Sequence, residues 1–225
     1  MKKCVLLLIV GWGVLSCAGL PTLHPAGDRV TIETSRACQR PYPHGDWQLL
    51  HTIEAEFSGG QTGFLMGLTL MSSLERTARC VLMTLEGFVL FDATLDNGVK
   101  IERAVAPFDN EAFAQGVMAD IRLIFFKPLA AEITAGASAD GAAVCRYLRA
   151  DGHVIDVVQQ ENNHWETRLY HANHRLARIV KSMPSKNLAD GNPLGIADKI
   201  ELTALGTPGY KLVLTLVEAI PLEAE

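Results

Sequence analysis

From Trp47 onward, short runs of alternating or wholly apolar residues are broken about every ten residues by Gly, Asn, Asp, Ser or Pro. The two-residue period is that of a β-strand. Eleven runs stand out, at 48–57, 62–71, 75–85, 88–95, 99–105, 143–150, 153–160, 164–172, 175–183, 197–205 and 210–218. Asn97-Gly98 and Asp151-Gly152 are hairpin signals, because a type I′ turn needs positive φ at both central residues. Such short connections join antiparallel neighbours, so the pattern predicts meanders. One segment departs from it. Between Asp109 and Phe126, Phe113, Val117, Ile121 and Ile124 recur at helical spacing. Asp109 or Asn110 can cap its start, and Pro128 ends it. Residues 129–141 are small and polar and read as a flexible loop. The predicted order is five strands, one helix, then six strands.

The faces of these strands carry more information than their number. Strand 48–57 sets Leu49, Ile53, Ala55 and Phe57 against Thr52, Glu54 and Glu56, the half-wet pattern of a sheet with one covered face. Strand 62–71 does not. Phe64, Met66, Leu68 and Leu70 share one face, and Leu65 and Met71 lie on the other. Residues 80–85 and 88–95 are similarly apolar on both sides. Two packings satisfy this. Strands and helix fill an ordinary solid core, or the sheet curls around an apolar cavity. In the second packing the lining of the cavity would be Phe64, Met66, Leu68, Leu70, Leu82, Phe88, Leu90, Phe113, Val117 and Ile121.

Composition narrows the function. The 225 residues carry a net charge of −5 with only 20 Lys and Arg, which argues against a nucleic-acid partner. The N-terminus places Lys2 and Lys3 before an apolar run to Leu15, the layout of a secretory signal. Val14-Leu15-Ser16-Cys17 resembles the bacterial lipobox, in which cleavage precedes a cysteine that then carries acyl chains. The expected organisation is a signal peptide over 1–16, a lipidated N-terminus and Pro-containing tether over 17–45, and a β domain over 46–222. Export leaves Cys38, Cys80 and Cys145 in an oxidising compartment, where three thiols allow at most one disulfide. The strand positions of Cys80 and Cys145 favour buried free thiols for both. No nucleophile elbow, zinc-helix motif, phosphate loop or dinucleotide fingerprint is present, so neither an enzyme, a cofactor nor a metal is expected. Asp92, Asp156 and Asp198 read as water-facing carboxylates, and Arg146, Arg149, Arg168, Arg175 and Arg178 as partners in solvated cross-strand ion pairs.

The lipobox, the five-plus-six strands and the intervening helix together resemble the LolA/LolB class of lipoprotein carriers. The stretch MTLEGFVLFDATLDNGVKIERA looks like that class's strand–turn–strand, and DKIELTALGTPGYKLVLTLVEA resembles its last hairpin. Residues from about 45 to 220 are also similar to a proteobacterial lipoprotein family with a LolA/LolB-like fold, often encoded beside aryl polyene and fatty-acid biosynthesis clusters. The resemblance implies a mainly β, eleven-stranded, unclosed antiparallel half-barrel with one lid helix near 109–126. It implies an apolar cavity for acyl chains, and a monomer anchored through Cys17 to the periplasmic face of the outer membrane. Leu85 then occupies the hairpin tip that would hand cargo to the membrane. The function implied is binding, and transfer, of an acylated or polyene lipid or a lipoprotein. The alternative is a structural or assembly lipoprotein of an envelope or biosynthetic complex, with no ligand.

Overall fold

The computed structural model describes residues 19–25, 36–184 and 195–222, so the signal peptide and Cys17 lie outside the described residues. The strands are β1 (His24–Pro25), β2 (Asp46–Phe57), β3 (Thr62–Ser72), β4 (Thr77–Met83), β5 (Val89–Leu95), β6 (Val99–Ala104), β7 (Glu132–Ala137), β8 (Ala143–Leu148), β9 (Val154–Gln159), β10 (Trp165–Tyr170), β11 (Leu176–Pro184), β12 (Ala197–Ala204) and β13 (Tyr210–Pro221). The helix α1 spans Glu111–Phe125. All strands join one antiparallel sheet in the order β1-β7-β8-β9-β10-β11-β12-β13-β2-β3-β4-β5-β6. The sheet is two meanders fused where β13 pairs with β2 over eleven register positions, Tyr210 opposite Phe57 to Pro221 opposite Trp47. Its edges, β1 and β6, do not meet, so it stays open.

The mainly β, unclosed architecture with a helix between the meanders matches the sequence expectation, but the described residues form thirteen strands rather than eleven. The additional strands are β1 and β7, which pair with each other. Strand β7 corrects the loop assigned to 129–141. Its sequence, EITAGA, is too small and weakly apolar to announce a strand, and pairing with β8 decides it. Gly136 permits β1 to close over this edge, since a Cβ there would lie 2.7 Å from the His24 carbonyl oxygen.

Helix α1 begins where Asn110 accepts a hydrogen bond from the Phe113 amide at 2.8 Å, and ends before Pro128. It links one edge strand, β6, to the strand beside the other edge, β7, and so crosses the concave face. Ala114, Met118, Ile121, Ile124 and Phe125 are buried against that face. The register places Ala55, Leu212, Leu202, Val180, Thr167, Val157 and Cys145 in one continuous inward row across seven strands. No helix among the described residues is long and apolar enough to cross a membrane.

Residues 36–45, which the sequence assigns to the tether, pack into this core. Cys38 and Tyr42 are buried, and Cys38 is disulfide-bonded to Cys145. The Tyr42 hydroxyl lies 3.4 Å from Thr167 Oγ1. The bond corrects the free-thiol reading of Cys145, whereas Cys80 is free and buried. Burial, with the Asp92 charge adding to it, pushes the Cys80 thiol up to about 12, so it is inert as a nucleophile. The water-facing reading of Asp92 and Asp156 is also corrected. Both are buried, and Arg79 and Arg146 bind them bidentately, Arg146 at 2.7 Å through both nitrogens.

His51 faces inward from β2 at 2% exposure, its ring 5.9 Å from that of Phe125. Burial lowers its pKa from 6.5 to about 4. The unfolded chain therefore takes up a proton that the folded protein refuses, and stability falls as pH drops from the unfolded pKa toward the folded one. The loss expected between pH 7 and pH 5 is about 2 kcal/mol. Denaturant melts of the protein and of His51→Phe check it: the variant should lack that component of the pH dependence, and equal slopes in both would refute the assignment.

Candidate functional site

The sequence-derived lining divides between two faces. Leu82, Phe113, Val117 and Ile121 lie on the concave side, Leu82 and Ile121 in the core and the other two packed against it. Phe113 meets Phe91 edge-on at 5.1 Å. Phe64, Met66, Leu68 and Leu70 do not join them. In the β2–β3 register Gly67 pairs with inward His51, so residues 64, 66, 68 and 70 fall on the convex face. This corrects the assignment of those four to the cavity wall. Leu90 is half-buried beside the irregularity in the β4–β5 register.

Leu85 and Phe88, at the β4–β5 turn, are 60% and 55% exposed. They have company. Phe57 and Phe64 flank the β2–β3 turn and Leu205 begins the β12–β13 turn, all three exposed. These three turns lie at the same end of neighbouring strands. Five large apolar side chains therefore line one rim of the sheet.

Among the described residues the concave centre is packed by the wall and α1. The enclosed void between the 41–43 segment, β2, the end of α1 and residues 195–200 is only about 10 Å³. Larger clefts among the described residues open to solvent, one of them, about 860 Å³, beside the β7–β8 and β9–β10 turns. An open cleft of about 810 Å³ runs beneath the last two turns of α1 and residues 126–131. Its apolar lining includes Leu123, Phe126, Leu129, Ile155 and Leu169. Its polar lining comes from the β3–β4, β5–β6 and β8–β9 turns, through Glu75, Arg76, Asp96, Arg149 and Asp151, and from Arg122 on the helix. Elements so far apart in strand order meet here because the sheet curls.

One buried polar cluster fastens the helix to the wall. Asp120 points inward from α1 and accepts from Arg178 Nε of β11 at 2.5 Å and from the Tyr210 hydroxyl of β13. Arg178 Nη2 lies 3.5 Å from that hydroxyl. Burial raises the Asp120 pKa above the usual carboxylate range, although Arg178 and Tyr210 both oppose it. Burial and then the Asp120 charge push Tyr210 up to about 12. The sequence reading set Arg178 among solvated ion pairs. It faces inward because it shares a register row with Leu169, Ala204 and Tyr210. A readable signal existed: Asp120 interrupts the apolar stripe of the helix between Val117 and Ile124.

Neither a protein-family model nor a curated protein sequence matches the chain. Among solved structures it is similar to a LolA superfamily protein from Nitrosomonas europaea, with a TM-score of 0.57 and 11% identity over 87% of this chain and 95% of that one. A putative outer membrane lipoprotein-sorting protein domain from Vibrio parahaemolyticus also aligns, at a TM-score of 0.48 and 13% identity, covering 86% and 93% of the two chains. The fold is thus LolA-like.

Proposed function

We propose that this protein is an outer-membrane lipoprotein, anchored through acylated Cys17 and facing the periplasm, that binds the acyl chain of a lipid or lipoprotein. The observation that carries the reading is the 810 Å³ cleft between the concave wall and the end of the helix, floored by Ile155 and Leu169. That volume falls within the roughly 300–1,000 Å³ of small-molecule sites. Apolar burial supplies affinity at about 25 cal/mol per Å², less the ordering of the chain. The rim of Phe57, Phe64, Leu85, Phe88 and Leu205 would rest against the bilayer during exchange, because exposed apolar rows of this kind mark contact surfaces. The signal-like N-terminus and the resemblance of residues 14–17 to a lipobox support this location, and the LolA-like fold is consistent with lipid or lipoprotein sorting. The cargo classes proposed are acylated lipids, polyene lipids and lipoproteins, with the protein acting as a monomer and without catalysis.

Ala119 offers a test, since it lines the cleft yet is exposed. Ala119→Trp should weaken binding of a fluorescent fatty acid by about tenfold, while folding stability stays within about 0.5 kcal/mol. Unchanged affinity in a folded variant would remove the cleft from consideration. The filled centre of the sheet favours a second reading, a structural or assembly lipoprotein with no ligand. Native mass spectrometry of protein released gently from membranes separates them: bound lipid supports the first reading, and lipid-free protein that also ignores the probe supports the second.

A further inference from the structure

Arg76 and Arg122 face the same cleft and differ from the arginines around them. Arg79, Arg146, Arg149, Arg168 and Arg178 are each paired with a carboxylate. Arg76 and Arg122 make no ion pair among the described residues. Arg76 sits on the β3–β4 turn with φ of 60°, the left-handed region that a residue with a Cβ adopts at a cost of about 1 kcal/mol. One nitrogen donates to the Lys127 carbonyl at 3.0 Å, and the guanidinium lies 5.4 Å from the Phe126 ring centroid. Its position is therefore fixed, and most of its five N–H donors are uncommitted. Arg122 reaches the cleft from the last turn of α1. Burial, and then the charge of Arg122, draw the Arg76 guanidinium below its ordinary value. The carboxylates lining the cleft are exposed Glu75, Asp96 and Asp151, of which Asp151 is engaged by Arg149 at 2.8 Å.

Two like charges held near one another beside an apolar floor are complemented by an anion that also carries hydrocarbon. We infer that Arg76 and Arg122 bind the oxyanion head, carboxylate or phosphate, of an amphiphile whose chain lies over Leu123, Phe126, Ile155 and Leu169. The inference rests on the acyl-binding reading above and adds the head-group chemistry. Charge-assisted guanidinium–oxyanion bonds are about twice as strong as neutral ones, so head-group charge should dominate selection among chains of one length.

The test is calorimetric titration of the whole mature protein with dodecyl phosphate, dodecanoate, dodecanol and inorganic phosphate. Both anionic amphiphiles should bind about tenfold or more tightly than dodecanol. Arg122→Gln, at an exposed position, should cut that preference to about twofold or less and leave dodecanol affinity and melting temperature unchanged. Arg76→Gln should act in the same direction. Equal binding of all three chains overturns the head-group inference and leaves acyl binding standing. Absence of binding by any chain overturns both. Inorganic phosphate bound as tightly as dodecyl phosphate overturns the amphiphile and assigns the pair to a free oxyanion.

Discussion

Replacing Cys38 and Cys145 by Ala lowers the folding free energy by about 4–5 kcal/mol, the largest single effect expected in this protein. The bond joins residues 107 apart in sequence, so breaking it returns to the unfolded chain the freedom of a very long loop. It also releases residues 36–45 from the concave face. Residues 36–45 stay on the concave face through Cys38, through Tyr42 beside Thr167, and through the His44 carbonyl that accepts from Trp47 Nε1 at 2.7 Å. In a domain of this size the midpoint should fall by about 10–15 °C. Melts with and without reductant, together with the double-alanine variant, measure it. Reduction of the unfolded protein should release two further thiols beyond the free Cys80. A midpoint that moves by less than about 2 °C would show that packing alone holds the segment.

Asp120→Ala should cost about 3 kcal/mol or more, because it leaves the Arg178 charge and the Tyr210 hydroxyl without their partner. The pair itself is a weak source of stability. Burial holds the Asp120 carboxyl above its usual pKa even with Arg178 beside it, so the ionised form is kept at a cost. A double replacement, Asp120→Leu with Arg178→Met, should therefore recover most of the loss, since no buried charge is stranded. Chemical denaturation of the two single variants and the double variant gives the coupling directly. Additive losses would deny the contact. The cluster also sets where α1 sits. With its wall contact gone, the helix keeps only apolar packing, which specifies register less sharply than a carboxylate held by Arg178 on one oxygen and Tyr210 on the other. Fatty-acid binding by the folded double variant would then report how far helix placement controls the cleft.

Local pattern made much of the architecture legible. Eleven of the thirteen strands follow from two-residue periodicity and turn residues, and α1 follows from Phe113, Val117, Ile121 and Ile124 with Asn110 as its cap. Strands β1 and β7 were hidden because HP and EITAGA carry little apolar signal, and they exist as strands by pairing with each other and with β8. Four of the ten candidate lining residues were misplaced for a related reason. In TGFLMGLTLMS both faces are apolar, and alternation separates residues 64, 66, 68 and 70 from 65, 67, 69 and 71 without saying which set turns inward. Small Gly67 opposite His51, with Ile53 filling the space above it, shows which set does.

The sequence by itself determined a mainly β chain with one crossing helix, because strand period and helix period are both written in neighbouring residues. Only the tertiary structure decided the rest. The Cys38–Cys145 bond, the Asp120–Arg178–Tyr210 contact and the two arginines at the mouth unite residues 107, 58, 90 and 46 positions apart. Such meetings depend on how tightly the open sheet curls and on where the helix crosses it. Those are properties of side-chain packing summed over the whole wall, and no local stretch of the chain contains them.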